Sequence, residues 1–130
     1  MLTVVAGLLV RDGRILACRR RPEQDHGSKW EFPGGKAEAD EDPRDALVRE
    51  LREELAVEAT VGNEFLRYEF RYTGKKPIEL IFYWVTAYNG ALDNAFFAET
   101  RWIAPIDLVD LDFLEGDTRV VAELASRPLR

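Results

Sequence analysis

Between Gly35 and Val57 the chain reads GKAEADEDPRDALVRELREELAV, and no other stretch limits its fold and chemistry so closely. Asp42 followed by Pro43 is a helix start, with aspartate as N-cap and proline at the first helical position, where its missing N–H is harmless. Along the helix that follows, Leu47, Val48, Leu51 and Leu55 cover one arc of roughly 100°. Glu50, Glu53 and Glu54 fall on the adjoining arc. As a solvated face this is costly. Like charges three or four residues apart each destabilise a helix by about 0.2–0.5 kcal/mol. Anions in its C-terminal half oppose the helix dipole by a further ~0.3–1 kcal/mol each. Arg49 and Arg52 offset part of that cost and keep the solvated-face reading open. The other reading is a set of hard oxygen ligands for Mg²⁺ or a similar divalent ion.

Spacing favours the ligands. From Gly35 the chain runs five residues to Glu41, seven more to Arg49, then Glu50-Leu51-Arg52-Glu53-Glu54-Leu55-Ala56-Val57. This resembles the Nudix box: glycine, five residues, glutamate, seven residues, then Arg-Glu-aliphatic-X-Glu-Glu-X-Gly-aliphatic. The one departure is Ala56, which stands where the box has its last glycine. If that position needs a left-handed backbone, alanine costs on the order of 1–2 kcal/mol there.

At 130 residues the chain suits one domain over 1–130, large enough to bury a core unaided. A net charge of −6 argues against a partner such as a nucleic-acid polymer, which basic surfaces hold, but allows a small polyanion that arrives with its own metal. Cys18 is the only cysteine, so no intrachain disulfide can form and a reducing, cytoplasmic setting is expected. The apolar start Leu2–Val10 is far short of the ~20 residues that span a membrane, and reads as a strand.

Taken in order, Thr3–Arg11 and Ile15–Arg21 are strands about a hairpin turn at Asp12-Gly13. The second ends in Arg19, Arg20 and Arg21, which are either a solvated terminus or guanidinium donors for phosphate or base. Pro22–Lys29 is a polar loop holding His26, a lone histidine of the kind that is ordinarily solvated. In WEFPGGK, Trp30 and Phe32 alternate with Glu31 as in a short strand, and Pro33-Gly34-Gly35 is a turn signal. Adjacent glycines also let the backbone approach a ligand and leave carbonyls free for a cation. After the helix, Glu58–Val61 reads as a short strand closed by Gly62-Asn63, and Glu64–Thr73 with Pro77–Tyr88 as a long hairpin about Gly74-Lys75-Lys76. Asn89-Gly90 is a turn, Thr100–Ala104 a strand, Pro105–Leu111 a loop or helical turn, and Asp117–Ser126 a helix burying Val120, Val121 and Leu124. That order predicts a mixed sheet with helices on both faces.

WEFPGGK and the overall length bring the resemblance to the MutT-like branch of Nudix hydrolases. It implies an α/β/α sandwich with a mixed sheet, Mg²⁺ or Mn²⁺ as cofactor, and cleavage of a nucleoside triphosphate to monophosphate and pyrophosphate. It places metal contacts on the Gly34 carbonyl, Glu50, Glu53 and Glu54, and makes Arg49 the residue that orients a metal-binding glutamate. It implies substrate contacts at Arg20, Phe32, Ile78 and Asp117, in a monomer. The chemistry suits these types, since acidic side chains repel a triphosphate unless divalent ions bridge the two. A glutamate that such proteins often carry six residues before the late tryptophan, Trp102, is here Phe96. Glu99 is the expected substitute as general base.

Asp117, in Glu115-Gly116-Asp117-Thr118, falls where the resemblance implies a base-reading residue. It is also a good N-cap. An ionised carboxylate only accepts hydrogen bonds and so suits a base edge presenting donors. The leading expectation is hydrolysis of nucleoside triphosphates, cytidine-type or oxidised such as 8-oxo-dGTP. The alternatives are a Nudix hydrolase of another nucleoside diphosphate-linked compound, or a nucleotide sensor without catalysis.

Overall fold

Asp12 and Gly13 both have positive φ, at 50° and 74°, and turn strand β1 (Leu2–Arg11) into β2 (Arg14–Arg19). The structure, a computed structural model, describes residues 1–127; residues 128–130, the end of the domain expected over 1–130, lie outside the described residues. The hairpin soon opens: β1 and β2 pair only at Val10–Ile15 and Arg11–Arg14. Ahead of that, β1 lies between β4 (Gly34–Lys36), antiparallel, and β6 (Ile78–Asn89), parallel from Leu2–Ile78 to Leu9–Val85. On the far side of β6 runs β5 (Glu58–Phe70), its antiparallel partner. β2 pairs antiparallel with β3 (Trp30–Glu31) and with β7 (Glu99–Ile103).

The central strands alternate apolar residues to both faces, as a sheet covered on both sides requires. One face sets Val5, Leu9, Leu16, Cys18, Ile81 and Val85 against helix α1 (Pro43–Leu55). The other sets Leu8, Ile15, Ala17 and Phe82 against helix α2 (Thr118–Ala125) and the 3-10 segment Pro105–Asp110. The expected α/β/α sandwich with a mixed sheet is what forms.

Several expectations are corrected. Gly62-Asn63 does not close a strand; β5 continues through it to Phe70, with shifts of register between Thr60 and Leu66. The turn signal is absorbed as an irregularity of the ladder, where a Cβ on Gly62 would lie 3.2 Å from the Trp84 carbonyl oxygen. Gly34 and Gly35 lie within β4 rather than in a turn. Their need for glycine is close approach, because a Cβ on Gly34 would meet the Val5 carbonyl oxygen at 1.9 Å. Glu115–Asp117 form a 3-10 turn, so the last helix starts at Thr118 and Asp117 makes no side-chain capping bond. Among the described residues no helix is long and apolar enough to cross a membrane.

Candidate active site

Helix α1 begins as expected. The Asp42 carboxylate accepts from the Arg44 N–H at 2.8 Å and Pro43 holds the first position. Leu47, Leu51 and Leu55 are fully buried, while Val48 is only half-buried. The helix ends at Ala56 in the left-handed region, φ 58° and ψ 33°, with its N–H donating to the Arg52 carbonyl. The missing box glycine therefore leaves a strained alanine on the surface.

The three glutamates have different surroundings. Glu54 is buried, and its Oε1 accepts the Gly34 N–H at 3.2 Å. Burial first, then the nearby Glu31 and Glu50, push its carboxyl up to about 9. Glu50 lies against β4, where a Cβ on Gly35 would stand 2.5 Å from its carboxyl carbon. Burial raises its pKa as well, against the opposing pull of Arg49. Glu53 is 59% exposed and lies 3.6 Å from Arg49. Arg49 grips Glu41 with two bonds of 2.9 Å, donates to Glu50 Oε1 at 3.0 Å and reaches the Lys36 carbonyl at 3.1 Å. Those bonds, with the Glu38 N–H, hold Glu41 down to about 2. Glu41, to which sequence reasoning gave no role, is thus the main anchor of Arg49.

Among the described residues, no three His, Cys, Asp or Glu side chains converge on a ready-made metal position. The donor chemistry nevertheless fits a hard divalent ion. Glycine at 35 leaves a cradle in which the Glu50 carboxylate sits against the backbone. The alternating ladder turns the polar backbone groups of Gly34 away from β1 and toward Glu54. Carboxylates gathered with raised pKa values lack the positive charge that a cation would bring.

Next to this acidic corner opens a cleft of about 710 Å³, a size suited to a small molecule. All four expected substrate residues, Arg20, Phe32, Ile78 and Asp117, line it, as do Gly34 and Glu54. Glu50 and Glu53 stand outside the lining. Phe32 is packed against Phe82 and Phe113 as part of the floor. Arg20 is engaged by the protein itself, donating to the Asp25 carbonyl at 2.9 Å and to both oxygens of Glu31 at 3.2 Å. Asp117 is buried, its Oδ2 accepting the Phe32 N–H at 3.2 Å. Burial, reinforced by Glu31 and opposed by the Phe32 N–H, pushes its carboxyl up to about 8. The shift favours the protonated form, which offers a donor beside an acceptor, where the expectation was an ionised acceptor.

Glu99, the expected general base, is engaged elsewhere. It sits in β7 opposite Arg19, its carboxylate taken by Arg101 and lying 3.9 Å from Arg19, and it does not line the cleft. Phe96 does line it, on a loop held by Arg21, which donates to the Ala95 and Phe96 carbonyls at 3.0 and 2.8 Å. Sequence reasoning also missed Glu31 and Tyr72 at the cleft; His26, read as a solvated loop residue, is exposed as expected and also lines it. The WEF alternation contained a signal for Glu31, since it directs that side chain away from Trp30 and Phe32 toward Arg20.

Comparison with known proteins gives a consistent result. The NUDIX domain model matches residues 1–124. CTP pyrophosphohydrolase of Escherichia coli (strain K12) is 39% identical over 117 residues, 90% of this chain and 86% of that protein. The 8-oxo-dGTP diphosphatase of Haemophilus influenzae is 37% identical over 104 residues, 79% of this chain and 76% of that protein. Among solved structures, the solution structure of the E. coli ORF135 protein superposes with a TM-score of 0.85 at 36% identity, covering 100% of this chain and 95% of that one.

Proposed function

The chain belongs to the NUDIX family and is a hydrolase of phosphoric anhydrides in nucleotides, and on that premise we propose that it cleaves nucleoside triphosphates to nucleoside monophosphate and pyrophosphate. The substrate is cytidine-type or oxidised, such as 8-oxo-dGTP, and the cofactor is Mg²⁺ or Mn²⁺. The protein works as a monomer, one domain over 1–130, in the cytoplasm, without a nucleic-acid polymer or membrane as partner.

One observation carries this reading. Amides two residues apart, those of Phe32 and Gly34, hold the carboxylates of Asp117 and Glu54, at 3.2 Å each. A buried group suited to a base edge and a metal-binding corner thus hang from one short segment, roughly 7 Å apart along an extended chain. The Gly34 carbonyl, Glu50, Glu53 and Glu54 would hold the metal. When bound, the ion supplies charge neutralisation and a more acidic attacking water. Arg49, clamped by Glu41, orients Glu50. Phe32 and Ile78 give the cleft its apolar surface, which excludes water around the nucleoside. Asp117 reads the base edge, and Arg20, fixed by Glu31, presents its remaining donor edge to the substrate. With Glu99 tied to Arg19 and Arg101, the water's proton goes to the box glutamates.

The test is a panel of ordinary, oxidised and methylated nucleoside triphosphates, with nucleoside diphosphate-linked compounds beside them, in added Mg²⁺ and with the products identified as pyrophosphate or phosphate. Monophosphate and pyrophosphate are expected. Turnover confined to diphosphate-linked compounds would move the protein to another substrate class, and none at all would leave a nucleotide sensor.

A further inference from the structure

The cleft carries an aromatic pair that the reaction above does not use. His26 lies on Tyr72 with ring centroids 5.0 Å apart and planes tilted by 39°, and both rings line the cleft. His26 reaches that place on an unusual backbone. Its φ is 54°, Ser28 follows at 67°, and the residue between them is Gly27, whose Cβ would meet the Pro22 carbonyl oxygen at 2.2 Å. Side chains disfavour such conformations, which persist only where the surroundings impose them. Here the surroundings do: Arg20 Nε donates to the Asp25 carbonyl at 2.9 Å, Arg19 Nε to the Ser28 carbonyl at 3.2 Å, and the Ser28 N–H to the Arg20 carbonyl at 3.1 Å. The imidazole is then left 41% exposed, its Nε2 3.8 Å from the Asp25 carboxylate.

Tyr72 ties this pair to the base-reading end. The Gly116 N–H donates to the Tyr72 hydroxyl at 3.1 Å, and the Tyr68 hydroxyl donates to the Gly116 carbonyl at 2.5 Å. Two tyrosines of one hairpin thus fix the turn whose next residue is Asp117. We infer that His26, backed by Tyr72, is a specificity-determining residue: it presents the π-face on which the substrate's base stacks while Asp117 takes the base edge. This rests on the reading of the cleft as a nucleotide site and adds a residue to it. An imidazole held against a phenol is a flat, partly apolar surface, as base stacking requires, and it is fixed before the ligand arrives.

The strained backbone provides the test. His26→Gly suits a positive φ, so the fold should be no less stable, while the stacking face is lost. Titration calorimetry of the Mg²⁺-loaded protein would measure CMP, dGMP and 8-oxo-dGMP, with inorganic tripolyphosphate as the base-free probe. We expect His26→Gly to keep or raise the melting temperature, weaken the best-bound monophosphate by about tenfold, the order of one stacking contact, and leave tripolyphosphate unchanged. His26→Phe should restore most of the loss. The inference is overturned if His26→Gly binds the monophosphate as the parent does, or loses tripolyphosphate equally. If the parent binds tripolyphosphate and none of the monophosphates, the nucleotide reading itself falls, and that result is distinct from a parent that binds them and a variant that matches it.

Discussion

A carboxyl buried where nearby positive charge does not offset its desolvation stays neutral at a pH where its unfolded counterpart is charged, and Asp117, where burial and Glu31 outweigh the Phe32 N–H and Arg20, is such a group. Its pKa rises from 3.8 to about 8 in the fold, so between those values the folded protein holds a proton that the unfolded chain has lost. Stability contributed at this residue therefore falls as pH rises from about 4 to about 8, and is level beyond that range. Asp117→Asn keeps an acceptor for the Phe32 N–H but cannot ionise. Its melting temperature should gain on the parent's steadily across that window, read by calorimetry at half-unit steps of pH. A difference independent of pH would mean that Asp117 is ionised in the fold. Because a neutral carboxyl and an amide both set a donor beside an acceptor, the same variant should keep the ranking of bases by kcat/KM at neutral pH, whereas Asp117→Ala should change it by about 1–3 kcal/mol. Glu53→Gln should lower kcat by at least ~10²-fold with unchanged circular dichroism if this exposed glutamate is the metal ligand proposed, because it adds no packing to the core. Glu99→Gln, by contrast, should leave both rate and pH profile near those of the parent, since its partners are Arg19 and Arg101. A loss of the 10²–10⁴ expected for a general base would return it to the mechanism.

At the scale of elements, α1 ends on a residue that its geometry does not favour. Ala56→Gly should stabilise the protein by on the order of 1 kcal/mol, visible as a higher urea midpoint at constant slope. A lower midpoint would show that unfolded-chain entropy outweighs the relieved backbone. This helix is legible in the sequence because cap, apolar arc and glutamate spacing all point to one answer. The hairpin strands were legible for a similar reason, as β-branched and aromatic runs bounded by turn residues. What escaped was non-local. Gly62-Asn63 looks like a turn by itself, yet β6 pairs with the strand on both sides of it, and long-range pairing outweighs local preference. Asp117 looks like a cap, yet the Phe32 amide from the other end of the chain claims its carboxylate. His26 is exposed, as a lone loop histidine ordinarily is, but the ring beneath it, Tyr72, lies far along the sequence and could not be foreseen. The site residues most visible in the sequence were those held within one helix; those assembled from separate loops were visible only through a resemblance, or not at all.

For the whole molecule, a net charge of −6 with carboxylates gathered at one corner means that the proposed cofactor cation would also stabilise the fold. Mg²⁺ at a hundred times its Kd should stabilise the fold by ~2.7 kcal/mol, and EDTA should remove the gain in a thermal melt. Glu53→Gln should shrink the gain. A melting temperature indifferent to Mg²⁺ in the parent would mean that the corner takes metal only together with substrate. The segment from Phe32 to Gly34 extends this to both ends of the cleft. Carboxylates from the two faces of the sheet hang from its amides, so a shift of that backbone moves both. On the proposed assignment a nucleoside and a metal ion would be joined in this way, and linkage would make any coupling reciprocal: whatever factor a nucleoside applied to metal affinity, the metal would apply to nucleoside affinity. A phosphate-free nucleoside, unable to touch the ion, would then report the metal's presence through its own Kd, and the protein would distinguish one base from another partly by how firmly each lets it hold a cation.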